Sequence, residues 1–150
     1  EFEGNWAKPY EGSSYVLTPD SSSMPLPDGL SGEGGAAFFE ASTVDVTGTR
    51  FANNGCASGY DQGAAGGAIS LVASVAGSES RFTGVSFVSN SAISDEVTTV
   101  DKASGMGGAV HVMSASPVFQ SCTFTENMVK AGGSKNSVGG AVVLRYAYEG

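Results

Sequence analysis

Residues 66–71 read Gly-Gly-Ala-Ile-Ser-Leu, and residues 87–90 read Phe-Val-Ser-Asn. Both phrases recur. Gly-Gly-Ala begins at Gly34, Gly66, Gly107 and Gly139, with separations of 32, 41 and 32 residues. Phe-x-x-Asn stands at Phe51/Asn54, Phe87/Asn90 and Phe124/Asn127, which is 17, 21 and 17 residues after the start of the preceding Gly-Gly. The middle unit carries extra residues on both sides of its Phe-x-x-Asn, yet the phrases themselves are intact. Insertions placed in this way are loop insertions in a repeat array.

Aligned columns give the local structure. After Gly-Gly-Ala one column reads Ala37, Ile69, Val110, Val142, and two positions on another reads Phe39, Leu71, Val112, Leu144. Every member is apolar. The interleaved columns are mixed: Phe38, Ser70, His111, Val143, then Glu40, Val72, Met113, Arg145. Alternation of period two is the pattern of a strand with one inward face. The second phrase extends backwards as Val46-x-x-Thr49-x-Phe51, Phe82-x-x-Val85-x-Phe87 and Phe119-x-x-Cys122-x-Phe124. It predicts a second strand with its own inward set. Helix-like apolar spacing is weak throughout, and 22 glycines in 150 residues argue further against helices.

Short strands that place like residues on one another, unit after unit, predict an all-β solenoid. The expected form is a right-handed parallel β-helix of about four coils, stacked about 4.8 Å apart. Phe51, Phe87 and Phe124 would stack inside it. Asn54, Asn90 and Asn127 would form an amide ladder at a turn, satisfying backbone groups that the bend leaves free. The paired glycines suit a corner that needs positive φ or close backbone approach. An antiparallel sandwich is the alternative, and it does not call for columns kept at a fixed period.

Residues 1–33 are expected to lie outside the repeat, as a cap or lead-in, with 34–150 as the β-helix. They hold Trp6 and Pro9, Pro19, Pro25 and Pro27. Tyr15–Thr18 is a candidate strand, and 19–29 reads as loop. The chain opens on Glu1 rather than Met, and no Phe-x-x-Asn follows the fourth Gly-Gly before Gly150. The expectation is a processed chain or a segment of a longer one. The exposed edge would be met by further repeats or by a docking partner.

Repeated Gly-Gly-Ala-[Ile/Val] alternating with Phe-x-x-Asn resembles the polymorphic outer membrane protein repeats of chlamydiae and related surface proteins. The phrases stand as GGAAFF…RFANN, GGAISL…SFVSN and GGAVHV…TFTEN, followed by GGAVVL, across residues 34–144. The resemblance implies a pectate-lyase-like β-helix that is exported and acts as an adhesin or surface scaffold.

Composition sets further bounds. Seven basic and fifteen acidic residues leave a net charge of −8, which repels phosphate backbones and disfavours nucleic-acid binding. No apolar run is long enough to span a membrane as a helix. The glycines do not form a phosphate loop, since no Gly-Lys-Ser/Thr follows them. No motif calls for a cofactor or a metal. β-Helical lyases and hydrolases need clustered carboxylates. Here Asp20, Asp28, Asp45, Asp61, Asp95 and Asp101 are dispersed, and only Asp45 falls in a predicted core strand. Loop acids such as Asp61, Asp95, Glu96 and Asp101 would have to converge in space to serve.

His111, the one histidine, is read as a surface strand residue, with a catalytic base or ligand as the sharper alternative. Cys122 shares the inward slot of Thr49 and Val85, whereas Cys56 falls in a predicted loop about two coils, or about 9.6 Å, away. That is too far for a disulfide, so two thiols are expected. The outward face of the Gly-Gly strands carries Phe38, Val72, His111, Met113, Val143 and Tyr146. This partly apolar stripe predicts either a contact surface or a face covered by a loop or by residues 1–33.

The reading is a non-catalytic extracellular or cell-surface structural or adhesive module, working in a surface layer, adhesin or filament. Protein partners or self-association are expected through its open end and lateral faces, and host-surface or glycan contact is a further possibility. The alternative is a carbohydrate-binding or polysaccharide-cleaving β-helix.

Overall fold

The computed structural model describes residues 1–7, 9–10, 13–16, 24–25, 30–58, 63–72, 79–94, 105–131 and 137–145. Every regular element among them is a β-strand. The Gly-Gly-Ala segments lead into the strands Ala37–Glu40, Ile69–Val72, Val110–Met113 and Val142–Arg145. These form one parallel sheet in repeat order. Ile69 lies between Ala37 and Val110, and Leu71 between Phe39 and Val112. The aligned columns of the sequence are therefore the register of the sheet.

The glycine pair has two separate reasons. Gly66 has φ +70°, and a Cβ there would stand 2.0 Å from the Ile69 carbonyl oxygen. Gly67 has no such φ, but a Cβ on it would stand 2.1 Å from the Gly108 carbonyl oxygen of the next repeat. The first glycine turns the chain and the second lets neighbouring repeats touch backbone to backbone.

The second predicted strand is in fact two. Asp45–Thr47, Arg81–Thr83 and Val118–Gln120 form one parallel sheet. Arg50–Ala52, Ser86–Val88 and Thr123–Thr125 belong to another, which also holds Phe2–Glu3. Between them the chain passes through Gly48, Gly84 and Ser121, at φ 56°, 61° and 53°. A left-handed residue redirects the backbone, so a single strand cannot run through.

Two further parallel sheets lie outside the recurring phrases. One takes Trp6–Ala7, Gly55–Ser58, Ser91–Ser94 and Met128–Ala131; the other takes Leu30–Glu33, Gly63–Ala65 and Gly105–Met106. A full repeat thus supplies one strand to each of five parallel sheets, always in repeat order. Pro9–Tyr10, Ser13–Val16 and Met24–Pro25 form a small antiparallel sheet of their own, near the strand expected around Tyr15, and Ser13–Val16 lies against Leu30–Glu33.

The lead-in expectation needs one correction. Residues 2–5 read Phe-Glu-Gly-Asn and form another copy of the second phrase: Phe2 pairs with Phe51 and Glu3 with Ala52. Position 4 also has φ +68°, matching Asn53, Ser89 and Glu126 at +55°, +52° and +55°.

The core lies between the Gly-Gly sheet and the two sheets that flank Gly48 and Gly84. Ile69, Leu71, Phe82, Val85, Phe87, Val110 and Val112 are buried in it, with Phe39, Phe119 and Phe124 packed against them. Phe2, Phe51, Phe87 and Phe124 stack face to face, with ring centroids 5.0, 5.3 and 4.9 Å apart. Each ring that is fully buried adds roughly 1.5–3 kcal/mol of hydrophobic stabilisation. Leu144 departs from its column: it is 53% exposed, because its strand has a described neighbour on one side only.

Candidate functional site: the asparagine ladder and the second face of the Gly-Gly sheet

Asn54, Asn90 and Asn127 form a continuous ladder, and Asn5 joins it. Asn54 donates its backbone N–H and its Nδ2–H to Asn90 Oδ1, both at 3.0 Å. Asn90 does the same to Asn127 Oδ1, at 3.0 and 2.9 Å. Asn5 does the same to Asn54 Oδ1, at 3.1 and 3.0 Å. The second Nδ2 hydrogen turns the other way. Asn54 donates to the Phe2 carbonyl, Asn90 to that of Phe51 and Asn127 to that of Phe87, at 3.0, 3.0 and 2.9 Å. Each interior amide therefore joins three consecutive repeats. Asn54 and Asn90 are wholly buried, where an unpaired amide would cost several kcal/mol of desolvation (order of magnitude).

The outward stripe is corrected by the structure. Val72, His111 and Val143 are buried, and Phe38 and Met113 are half-buried. Tyr146 lies outside the described residues. The reason is a second packed layer: Val143 clusters with Ala65 and Met106 on this face. The inner strands of the sheet are covered on both faces, as parallel sheets commonly are.

His111 is thus no surface residue. Its Nδ1 lies 3.1 Å from Ser70 Oγ on the adjacent strand, with both residues fully buried. Its Nε2 is buried with no hydrogen-bond partner among the described residues. Burial, and secondarily the charge of Arg145, pull the imidazole down from the usual 6.5 to about 4. The ring is neutral at ordinary pH. A hydroxyl beside an imidazole is the geometry of an activated nucleophile. Here neither group is accessible, and no described carboxylate orients the ring. The pair is a polar tie between two strands.

Cys56 is not in a loop. It lies in the strand Gly55–Ser58, fully buried beside Ala64 and Ala92. Cys122 packs against the main core and donates its thiol to the Phe82 carbonyl at 3.3 Å. No disulfide joins the two. Asp45 lies in its strand as expected, but on an exposed position. Asp20, Asp28, Asp61, Asp95, Glu96 and Asp101 lie outside the described residues. Among the described residues, no three His, Cys, Asp or Glu side chains come together. No described helix is long and apolar enough to cross a membrane, which leaves β-barrels unaddressed.

The sequence missed Asn5 as a ladder member and Ser70 as the partner of His111. The first had a legible signal in Phe2-x-x-Asn5. The second had one in the shared column of Ser70 and His111. Comparison with models of protein families, with curated proteins and with solved structures finds no match to this chain.

Proposed function

We propose that the chain is a right-handed parallel β-helix of the polymorphic outer membrane protein repeat type. It serves as a non-catalytic structural or adhesive module at the cell surface or outside the cell. One observation carries this reading: the side chains that recur between repeats are engaged in holding repeats together. The asparagine ladder uses its amides on neighbouring repeats, and the phenylalanine stack uses its ring faces in the same way. The acidic balance of the chain keeps such a surface soluble and mutually repelling at low salt.

The alternative, a polysaccharide-cleaving β-helix, is separated by a direct assay. The purified chain is incubated with acidic and neutral polysaccharides, and product size is followed. Unchanged polymer length is the expected result. Depolymerisation by the purified chain would replace the structural reading with an enzymatic one. Labelling of intact, unpermeabilised cells with antibody checks the location, and signal only after permeabilisation would overturn the extracellular assignment.

A further inference from the structure

Asn54 is the one asparagine of the chain that a glycine follows. In an open chain this pair is chemically labile. Gly55 has no side chain to keep its backbone nitrogen from reaching the preceding amide carbon. That nitrogen bonds to Asn54 Cγ, the Cγ–Nδ2 bond breaks, and Nδ2 leaves as ammonia with the proton from Gly55. Water then opens the cyclic imide at either carbonyl. The product is an aspartate at position 54 or an isoaspartyl link, which adds a methylene to the main chain.

The fold engages every group that this reaction needs free. Both Nδ2 hydrogens of Asn54 are donated, to Asn90 Oδ1 and to the Phe2 carbonyl, each at 3.0 Å. Its Oδ1 accepts from the backbone N–H and the Nδ2 of Asn5, at 3.1 and 3.0 Å. The Gly55 N–H, which must lose its proton to attack, is donated to the Asn5 carbonyl at 2.8 Å. Gly35 holds Gly55 from another sheet, so closely that a Cβ on Gly35 would stand 2.3 Å from the Gly55 carbonyl oxygen. Asn54 and Gly55 are both buried, away from the hydroxide that would take the proton and the water that would open the imide. The next repeat is clasped in the same way, with the Ser91 N–H on the Asn54 carbonyl at 2.9 Å.

We infer that Asn54 and Gly55 form a deamidation site that the folded ladder closes and unfolding opens. The modification is one-way for the fold as well as for the chemistry. An ionised carboxylate accepts hydrogen bonds and donates none. At position 54 it would set an oxygen against Asn90 Oδ1 and the Phe2 carbonyl, acceptor against acceptor, and would bury a charge. The isoaspartyl link would displace Gly55–Ser58 from Trp6–Ala7 on one side and Ser91–Ser94 on the other, since both registers begin at Gly55. A chain that stays folded keeps its amide. A chain that stays open loses it and cannot rejoin the ladder.

The test incubates the chain in mildly alkaline buffer, folded in one arm and held unfolded by guanidinium chloride in the other. Peptide mapping by mass spectrometry reads the conversion of each asparagine to the acid over time. In the unfolded arm Asn54 is expected to convert first. In the folded arm its conversion should be slower by at least about a hundredfold, because freeing it breaks several buried hydrogen bonds at once. Comparable rates in the two arms overturn the closure. An unfolded chain in which another asparagine converts first overturns the choice of site. Both unfolded samples, fresh and aged, are then returned to native buffer. The fresh chain should regain its denaturant midpoint and the converted fraction should not. Asn54→Asp, made by mutation, should show the same deficit. Equal midpoints for the parent and either modified chain overturn the one-way step.

Discussion

Asn54 and Asn90, 36 residues apart in sequence, share one acceptor: both N–H groups of Asn54 that face Asn90 converge on its single Oδ1 at 3.0 Å. Asn90 also caps the Phe51 carbonyl and passes the ladder on to Asn127. Asn90→Ala would leave buried donors on Asn54 and a buried carbonyl on Phe51 unpaired. Each such group costs about 1–3 kcal/mol, so a loss of about 3–5 kcal/mol is expected in urea unfolding. A loss under about 1 kcal/mol would show that water replaces the amide.

The two kinds of glycine predict different penalties. Gly67→Ala would place a methyl 2.1 Å from the Gly108 carbonyl oxygen and 2.6 Å from the Ser91 backbone. Neither backbone can yield, so the folded state should be lost or weakened by more than about 3 kcal/mol. Gly84→Ala meets nothing within 4 Å, and its cost comes only from φ +61°. That is about 1–2 kcal/mol. Thermal midpoints of the two variants should therefore differ widely, and equal midpoints would contradict the close approach of repeats at Gly67.

Phe87 sits between Phe51 and Phe124, at 5.3 and 4.9 Å, and is fully buried. Phe87→Ala should cost about 3–5 kcal/mol, and Phe87→Leu distinctly less, because Leu refills most of the volume. Denaturant midpoints that rank Ala and Leu equally would show that the stack carries no packing energy of its own.

His111 predicts an acid sensitivity with a defined sign. Above about pH 7.5 the imidazole is neutral whether the chain is folded or unfolded, so it adds no pH dependence. Below that, the unfolded chain takes up a proton that the folded chain refuses until about pH 4. Stability therefore falls as pH falls through this window, and the loss is complete below about 4, at roughly 3 kcal/mol. His111→Gln should lose correspondingly less stability than the parent between about pH 7.5 and about pH 4.5. Parallel losses in both proteins would rule out the imidazole as their source.

The columns Ala37/Ile69/Val110/Val142 and Phe51/Phe87/Phe124 were legible because a stacked register repeats its chemistry at each level. The sheet through Cys56 was not. Its aligned positions read Cys56, Ala92 and Val129, small or β-branched residues without a shared signature. The break at Gly48 and Gly84 was hidden for a different reason. In the third repeat the same left-handed position is filled by Ser121, so no glycine column marks it.

By itself, the sequence determined how the Gly-Gly strands and the Phe-x-x-Asn strands of this protein pair. Gly-Gly-Ala and Phe-x-x-Asn recur wherever a backbone must approach another or an amide must bridge repeats, and those needs are local and identical at each level. Only the tertiary structure decided which faces are covered. Ser70 and His111 alternate out of the core column, and period two alone assigns them to solvent. A second layer around Ala65 and Met106 closes over that face and leaves the His111 imidazole dry and neutral. Burial depends on what lies across the sheet, and no column of a single strand records it.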